Sequence, residues 1–213
     1  MGVTARTRVR RLPEKAVHDR AVMHAILDAG LVAHVSVVDR EGQPYVVPVG
    51  YARQGERVVF HGSTASRLFL ALAQGAPTCL TVTLLDGLVV ARSLFESSMH
   101  YRSVMVLGRC EVLRAEEKLA ALDVISDHLM PGRRRDARSP SKKELAATNV
   151  LALPLDEASV KVSQAPPDDN PDDLDLPVWA GVVPLREVFG EPVDAPDLRS
   201  AQEVPDYVRA WSR

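Results

Sequence analysis

From Leu31 to Leu113 the chain is written in short runs of alternating apolar and polar residues separated by brief turn signals, and this pattern constrains the fold more than any other feature. Leu31, Ala33, Val35 and Val37 alternate with Val32, His34 and Ser36, a period of two that gives a strand one buried and one open face. The polar stretch DREGQ closes a hairpin to a second strand over 44–53, and Gln54-Gly55 turns the chain into a third over 56–61. A fourth strand is predicted from Thr78, with Leu80, Val82 and Leu84 toward the core and Thr81 and Thr83 facing elsewhere. Asp86-Gly87 reads as a hairpin turn that returns the chain as LVVARS. The longest strand is expected over 102–113, with Val104, Val106, Gly108, Cys110 and Val112 sharing one face. Five or six short antiparallel strands in sequence, with few aromatics, point to a barrel.

Helical signals surround these strands. Pro13 suits the first turn of a helix running to Ala29, which Gly30 stops. A second helix is expected over 64–74 and a third over 115–130, its apolar side formed by Leu119, Leu122, Ile125 and Leu129. A short helix near 141–147, the strands NVLALPL and ASVKVS, a polar linker from Ala165 to Pro177 and the strand VWAGVVPL complete the pattern. The organisation expected is a basic arm over 1–12, one domain over 13–190 and a loosely packed tail over 191–213.

The bulk properties exclude several function classes. A net charge of −2 argues against nucleic acid as the main partner, and no apolar run approaches the roughly 20 residues that span a bilayer. No long apolar segment follows the basic N-terminus, so a secretory signal is not expected. The two cysteines, Cys79 and Cys110, sit in separate apolar runs and read as buried thiols in a reducing cytoplasm rather than a disulfide framework.

Two clusters carry chemistry. In VFHGSTASRLFLAL, residues 59–72, a strand ends at His61, Gly62 turns the chain, and hydroxyl residues open a helix. With Ser63 as N-cap, backbone N–H groups around Ala65 and Ser66 lack intrahelical partners, and Arg67 adds charge, an arrangement that suits a phosphate. A capped helix beside a solvated arginine is the competing interpretation. In SSMHYRSV, residues 97–104, hydrogen-bonding side chains and Arg102 immediately precede an apolar strand, where they can look across a barrel mouth or a subunit seam. His34, His61 and His100 show no close metal-ligand spacing, so no metal site is expected. The acidic stretch PDDNPDDLD reads as a solvated linker, and Arg133–Arg135 as a flank complementing a helix end or holding an anionic substrate.

The order of these segments resembles the FMN-binding split barrels of the pyridoxamine 5′-phosphate oxidase-like superfamily, nearest the branch that includes nitroimidazole-resistance-type proteins. The resemblance rests on GQPYVVPVGYA, VVFHGSTASR, MHYRSVMVLGRCEV, HLMPGRR, LAATNVLAL and VWAGVVPL, in that order between residues 10 and 188. It implies a mainly β fold, a split antiparallel six-stranded Greek-key barrel with peripheral helices, forming a homodimer with FMN at the subunit interface. By the same resemblance Val47, Pro48 and Val49 run beside the flavin ring, His61, Gly62 and Ser63 follow the ribityl-phosphate, and Ser66 and Arg67 grip the phosphate. Tyr101, Arg102 and Ser103 reach the flavin, and Trp179 approaches the partner's site. The chain departs from the vitamin-B6 oxidases in having one arginine where they carry a basic pair, and its Asp197-Leu198-Arg199-Ser200 does not reproduce their Arg-x-His segment. These departures point away from a B6 phosphate as substrate. The expected function is an FMN-dependent oxidoreductase acting on a small organic molecule with a reduced nicotinamide as donor. A flavin carrier or sensor, and a barrel holding haem or the deazaflavin F420, are the alternatives.

Overall fold

A computed structural model describes residues 4–200 and 202–212. Residues 1–3 of the expected arm, and 201 and 213 of the tail, lie outside the described residues. The first helix does not start at Pro13. A three-residue 3-10 turn is followed by a short strand, β1 (Ala16–Val17), and α1 spans Arg20–Ala29. Asp19 caps this shorter helix: its carboxylate accepts the Ala21 N–H at 2.8 Å.

The strands that follow are β2 (Val32–Val38), β3 (Pro44–Gln54), β4 (Arg57–Ser63), β5 (Pro77–Val90), β6 (Ser98–Arg109) and β7 (Glu111–Val112). Between β4 and β5 lies α2 (Arg67–Ala73); after β7 come α3 (Ala115–Leu129), α4 (Lys142–Ala146), β8 (Thr148–Pro154), β9 (Glu157–Ser163), β10 (Gly181–Pro184) and α5 (Asp206–Arg209). All pairings are antiparallel, in the order β1-β9-β6-β5-β2-β3-β4-β8-β7, with β10 beside β5. The barrel proper is β2, β3, β4, β8, β5 and β6, the last running through Cys110 into β7, which joins β8 by two residue pairs. Ladder bonding does not close into a continuous ring, as a split barrel requires.

Asp86-Gly87 is not a hairpin. Strand β5 continues through it with a bulge between Leu85 and Gly87, because the partner strand β6 supplies Arg102 to Asp86, and the turn falls at 91–97 instead. The barrel interior is filled by Val35, Tyr51, Phe60, Leu80, Val82, Val104, Val106, Leu151 and Val160, plugged by Met23, Ile26 and Leu27 of α1 and by Leu68, Phe69 and Leu72 of α2. A second cluster lies under α3, where Ala121 and Ile125 pack on Ala52, Val59, Val150 and Ala152. Leu119, expected on that apolar side, is 45% exposed.

The arm and the acidic linker are both tied down. Arg6 pairs with Glu157 on β9 and Thr7 is buried, so Thr4–Arg8 folds onto the sheet. In the linker, Asp169 is not solvated: its carboxylate accepts the Arg92 backbone N–H at 2.6 Å and the Arg92 guanidinium at 2.9 Å. Among the described residues no helix is long and apolar enough to cross a membrane.

Candidate functional site

The split in the barrel is a consequence of how β3 pairs. Its residues 44–50 pair with β2, whereas 51–54 pair with β4. Beyond Phe60 the end of β4 follows β8 alone, so that among the described residues nothing pairs with the other edge of β3 over 44–50. Val47 shows the result. It sits opposite Val35, which is fully buried, yet Val47 itself is 39% exposed, because the wall that should cover it is missing. An unpaired strand edge offers backbone N–H and C=O groups to a ligand, and Pro48, which has no N–H to lose, tolerates that position.

One bridge crosses the split. Arg67, the first residue of α2, donates from Nη1 to the Tyr45 hydroxyl at 2.7 Å, and its guanidinium lies 4.7 Å from the centre of the Tyr45 ring. The Tyr45 hydroxyl in turn donates to Asp39 Oδ2 at 3.0 Å. Asp39 is itself held by the Gln43 and Glu41 N–H groups, at 2.8 and 3.0 Å, and these bonds keep its carboxylate below the usual range. The hydrogen bond to Asp39 pushes the Tyr45 phenol up. Asp39, Tyr45 and Arg67 therefore form a chain that fixes the orientation of one exposed guanidinium and leaves its other N–H groups available.

The turn leading to Arg67 differs from the sequence expectation. The helix begins at 67 rather than 64, with Ser66 as N-cap. Ser63 closes β4, accepting the Ala65 N–H on Oγ at 3.1 Å and the Ser66 N–H on its carbonyl at 3.0 Å. Those two N–H groups are thus already satisfied, and the anion-binding capacity of the turn rests on Arg67. Gly62 is required for a different reason: a Cβ there would come within 2.2 Å of the Phe69 ring, which packs edge-on to Phe60 at 5.7 Å. His61 stands next to it, and desolvation holds its pKa below the ordinary histidine value.

The segment from α3 to β8 walls the split. A Cβ on Gly50 would strike Leu129 at 2.9 Å, so the end of α3 lies on β3 where β4 leaves it. At the other end Ala147 accepts the Thr64 N–H at 2.9 Å, and Lys118 Nζ donates to the carbonyls of Leu145 and Thr148, both at 2.6 Å. The loop between is braced: Arg134 pairs with Asp123 and Asp127, and Arg138 with Glu144. Tyr207 of the tail lies against Gly132 and donates to Asp136 at 2.7 Å, while Trp211 Nε1 donates to the Pro131 carbonyl at 3.0 Å. The end of the tail around Tyr207 and Trp211 packs on this loop, whereas residues 191–200 are exposed throughout.

The second cluster stands apart within one chain. Arg102 makes a two-pronged pair with Asp86, at 2.8 and 2.6 Å, which raises its pKa and commits it to the protein. Tyr101 and Ser103 point to the outer face of the sheet, and β5 and β2 separate them from β3, about 14 Å at ordinary strand spacing. Trp179 precedes β10, is 65% exposed and folds over Gly181. Tyr45 and Arg67 are in contact, Val47 and Val49 share the inner side of β3 with Tyr45 while Pro48 lies on its outer side, and His61, Gly62, Ser63 and Ser66 lie on the strand end and turn that lead to Arg67; Tyr101, Arg102, Ser103 and Trp179 stand apart from them. Tyr45 and Asp39, which position Arg67, were not singled out from the sequence.

Among curated proteins no match was found. Solved structures match closely. The FAD and haem binding protein from Mycobacterium smegmatis shares 43% identity over 93% of this chain and 97% of its own, with a TM-score of 0.88. The flavocytochrome Anf3 from Azotobacter vinelandii shares 41% identity over 97% and 96%, with a TM-score of 0.90. A putative 5-nitroimidazole antibiotic resistance protein from Bacteroides thetaiotaomicron shares 26% over 69% and 86%, at 0.58. Residues 19–162, from the cap of α1 to the penultimate residue of β9, match the pyridoxamine 5′-phosphate oxidase family model. That span holds both the split and the Asp39–Tyr45–Arg67 chain, and with it the protein belongs to the pyridoxamine 5′-phosphate oxidase family.

Proposed function

We propose that the chain is a flavin-binding oxidoreductase whose flavin lies in the split, its ring along Val47–Val49 and its phosphate on Arg67. The observation that carries this reading is the fixed guanidinium of Arg67 at one end of the unpaired edge of β3. From Tyr45 to Pro48 is about 10 Å along a strand, a distance suited to the arm between a flavin's phosphate and its ring. The free edge of β3 matches the alternating donors and acceptors of the flavin pyrimidine. FMN, the ligand expected from the sequence, satisfies both contacts, as does the FMN half of FAD. A bound flavin supplies hydride and electron transfer. The residues of the chain hold the phosphate, present backbone polar groups to the ring edge and exclude water through the Leu129–Ala147 wall. Reduced nicotinamide is the donor we propose, with a small organic acceptor.

The homodimer belongs to the same proposal. The outer face carries Val32, Val46, Leu85, Leu88 and Met99, all at least 39% exposed, an apolar surface of the kind that marks an interface. A partner laid on it supplies the Tyr101–Ser103 cluster that one chain keeps away from its own split.

A second reading adds haem, because two structures above 40% identity are described as holding it with flavin. Haem iron needs a neutral imidazole. His100 and His128 are engaged with the carbonyls of Ala165 and Gly30. His34 is exposed on the apolar outer face with no partner among the described residues, and it fits the role of axial ligand. The deciding experiment is the absorption spectrum and mass of whatever copurifies. A flavin spectrum bleached by NADH or NADPH and restored by an acceptor supports the oxidoreductase; unbleached flavin makes the chain a carrier. An additional Soret band lost in His34→Ala supports haem. Colourless protein that takes up no added flavin overturns the first reading.

A further inference from the structure

The basic run after α3 is not used up by the fold. Residues 130–146 carry six cations and two acids in a chain whose net charge is −2. Both acids are occupied: Asp136 accepts the Tyr207 hydroxyl, and Glu144 accepts Arg138 and the Ser141 N–H. Arg134 is spent on Asp123 and Asp127 of α3, and Arg133 donates to the Tyr207 hydroxyl. Arg135, Lys142 and Lys143 are exposed and form no ion pair or side-chain hydrogen bond among the described residues. Helix stability does not account for the lysines. They open α4, the end where a helix dipole favours acids, and that end is already held by the capping box of Ser141 and Glu144. We propose that Arg135, Lys142 and Lys143 recognise the phosphates of the hydride donor, so that the chain takes NADPH in preference to NADH. The inference rests on the flavin reading above and names its donor.

The loop borders the split at both ends. Leu129 before it lies on Gly50 of β3, and Ala147 after it accepts the N–H of Thr64, in the turn that leads to Arg67. A nicotinamide that gives hydride to a flavin in the split must lie against the flavin ring, which leaves its diphosphate and adenylate outside, at the rim. The pairs of Arg134 and Arg138 brace that rim, so the backbone carrying the unpaired cations is already formed before a donor arrives. The spread of the cations favours a polyanion over a simple organic acid. A carboxylate is satisfied by one guanidinium, whereas cations on two separate elements, the 3-10 turn Arg133–Arg135 and α4, suit phosphates several ångströms apart. The 2′-phosphate of NADPH adds about two negative charges that NADH lacks, and exposed cations attract it from a distance as well as on contact.

Calorimetric titration of the full chain, carrying the flavin with which it purifies, compares NADP+ with NAD+, two probes that differ only in the 2′-phosphate. NADP+ is expected to bind at least about ten-fold tighter at low salt, the scale of one charge-assisted contact. The margin should shrink in about 0.5 M NaCl, because contacts between exposed charges are screened. Arg135→Gln, Lys142→Gln and Lys143→Gln combined, checked for native circular dichroism, should bring the two probes within about two-fold of each other and leave FMN within about two-fold of its unmodified affinity. A control that removes three exposed cations of the arm, Arg8→Gln, Arg10→Gln and Arg11→Gln, should keep the margin. Equal affinity of the unmodified chain for NADP+ and NAD+ overturns the inference and leaves the flavin reading standing. So does a margin that survives the loop variant or falls equally in the control. A chain that binds no flavin fails the flavin reading, and the donor role of the loop falls with it.

Discussion

At the scale of single residues the site is a set of small steric and electrostatic decisions. Arg67 is exposed, so its worth lies in what it holds, not in folding stability. Arg67→Ala is expected to weaken FMN by about ten-fold or more while leaving riboflavin nearly unchanged, since only one of them carries the phosphate. Equal loss for both in a fluorescence titration removes Arg67 as the anchor. Gly62→Ala drives a methyl into the Phe69 ring, and overpacking of this kind costs about 1–3 kcal/mol. Chemical denaturation should show the loss, and Phe69→Leu in the same chain should return part of it. His61 gives a pH signature. Its folded pKa is depressed, so the unfolded chain binds more protons, and its contribution is full above the unfolded value near 6.5 and is lost as pH falls through the folded value. A dianionic phosphate bound nearby favours the imidazolium, so an NMR titration should find the His61 pKa higher with FMN than with riboflavin. An unchanged value places the phosphate elsewhere. Cys110, whose thiol burial pushes up to about 12, should stay unreactive to thiol reagents until the chain unfolds.

At the scale of elements the alternation of apolar and polar residues located β2, β3 and β9 to within a few residues, because each shows its period directly, whereas β4 and β8, buried on both faces between the two clusters, were legible as short apolar runs bounded by turn signals. Four boundaries escaped it, one being the start of β6, expected at 102 and found at Ser98 because Ser98–Tyr101 pair with β5 beyond its bulge. Asp86-Gly87 has the composition of a turn, but a cross-strand arginine sixteen residues later neutralises the aspartate and carries the strand on. Pro13 suits a helix start, but Asp19 caps a shorter one. Ser63 suits an N-cap, but its hydroxyl is spent on the turn before the helix. Each was decided by a partner distant in space or by rival caps that composition does not rank. The tail shows the same limit: Tyr207 and Trp211 lack a periodic pattern because they pack on a loop, not on a sheet. Removing that packing with Tyr207→Ala and Trp211→Ala should free the Pro131–Asp136 loop, and trypsin should then cut at Arg133–Arg135 several times faster than in the unmodified chain. An unchanged cleavage rate means that the pairs of Arg134 and Arg138 hold the loop unaided. Acid tests the second of those pairs. Arg138 and the Ser141 N–H hold Glu144 at about 2, so its contribution is present above the ordinary carboxylate range and is lost as pH falls toward that value.

At the scale of the molecule the split and the outer face raise one question, since the barrel both opens an inner strand edge and exposes apolar residues. The edge of β3 over 44–50 presents Val47 and Val49 on its inner side and Val46 and Pro48 on its outer side, so the surfaces proposed for cofactor and partner alternate along one strand. Under that proposal the two are coupled, because a shift of β3 on loss of the partner would move both sets. Position 46 separates the two roles, because its side chain faces away from the split and is 62% exposed. Val46→Glu places a carboxylate on the outer face, where burial against a second copy costs several kcal/mol unless it finds a cation. Light scattering should then report a monomer, and flavin content should fall with it although no residue of the Asp39–Tyr45–Arg67 chain has changed. A monomer that keeps its full flavin would show that one chain completes the site. A dimer that tolerates the carboxylate would put the interface on another face.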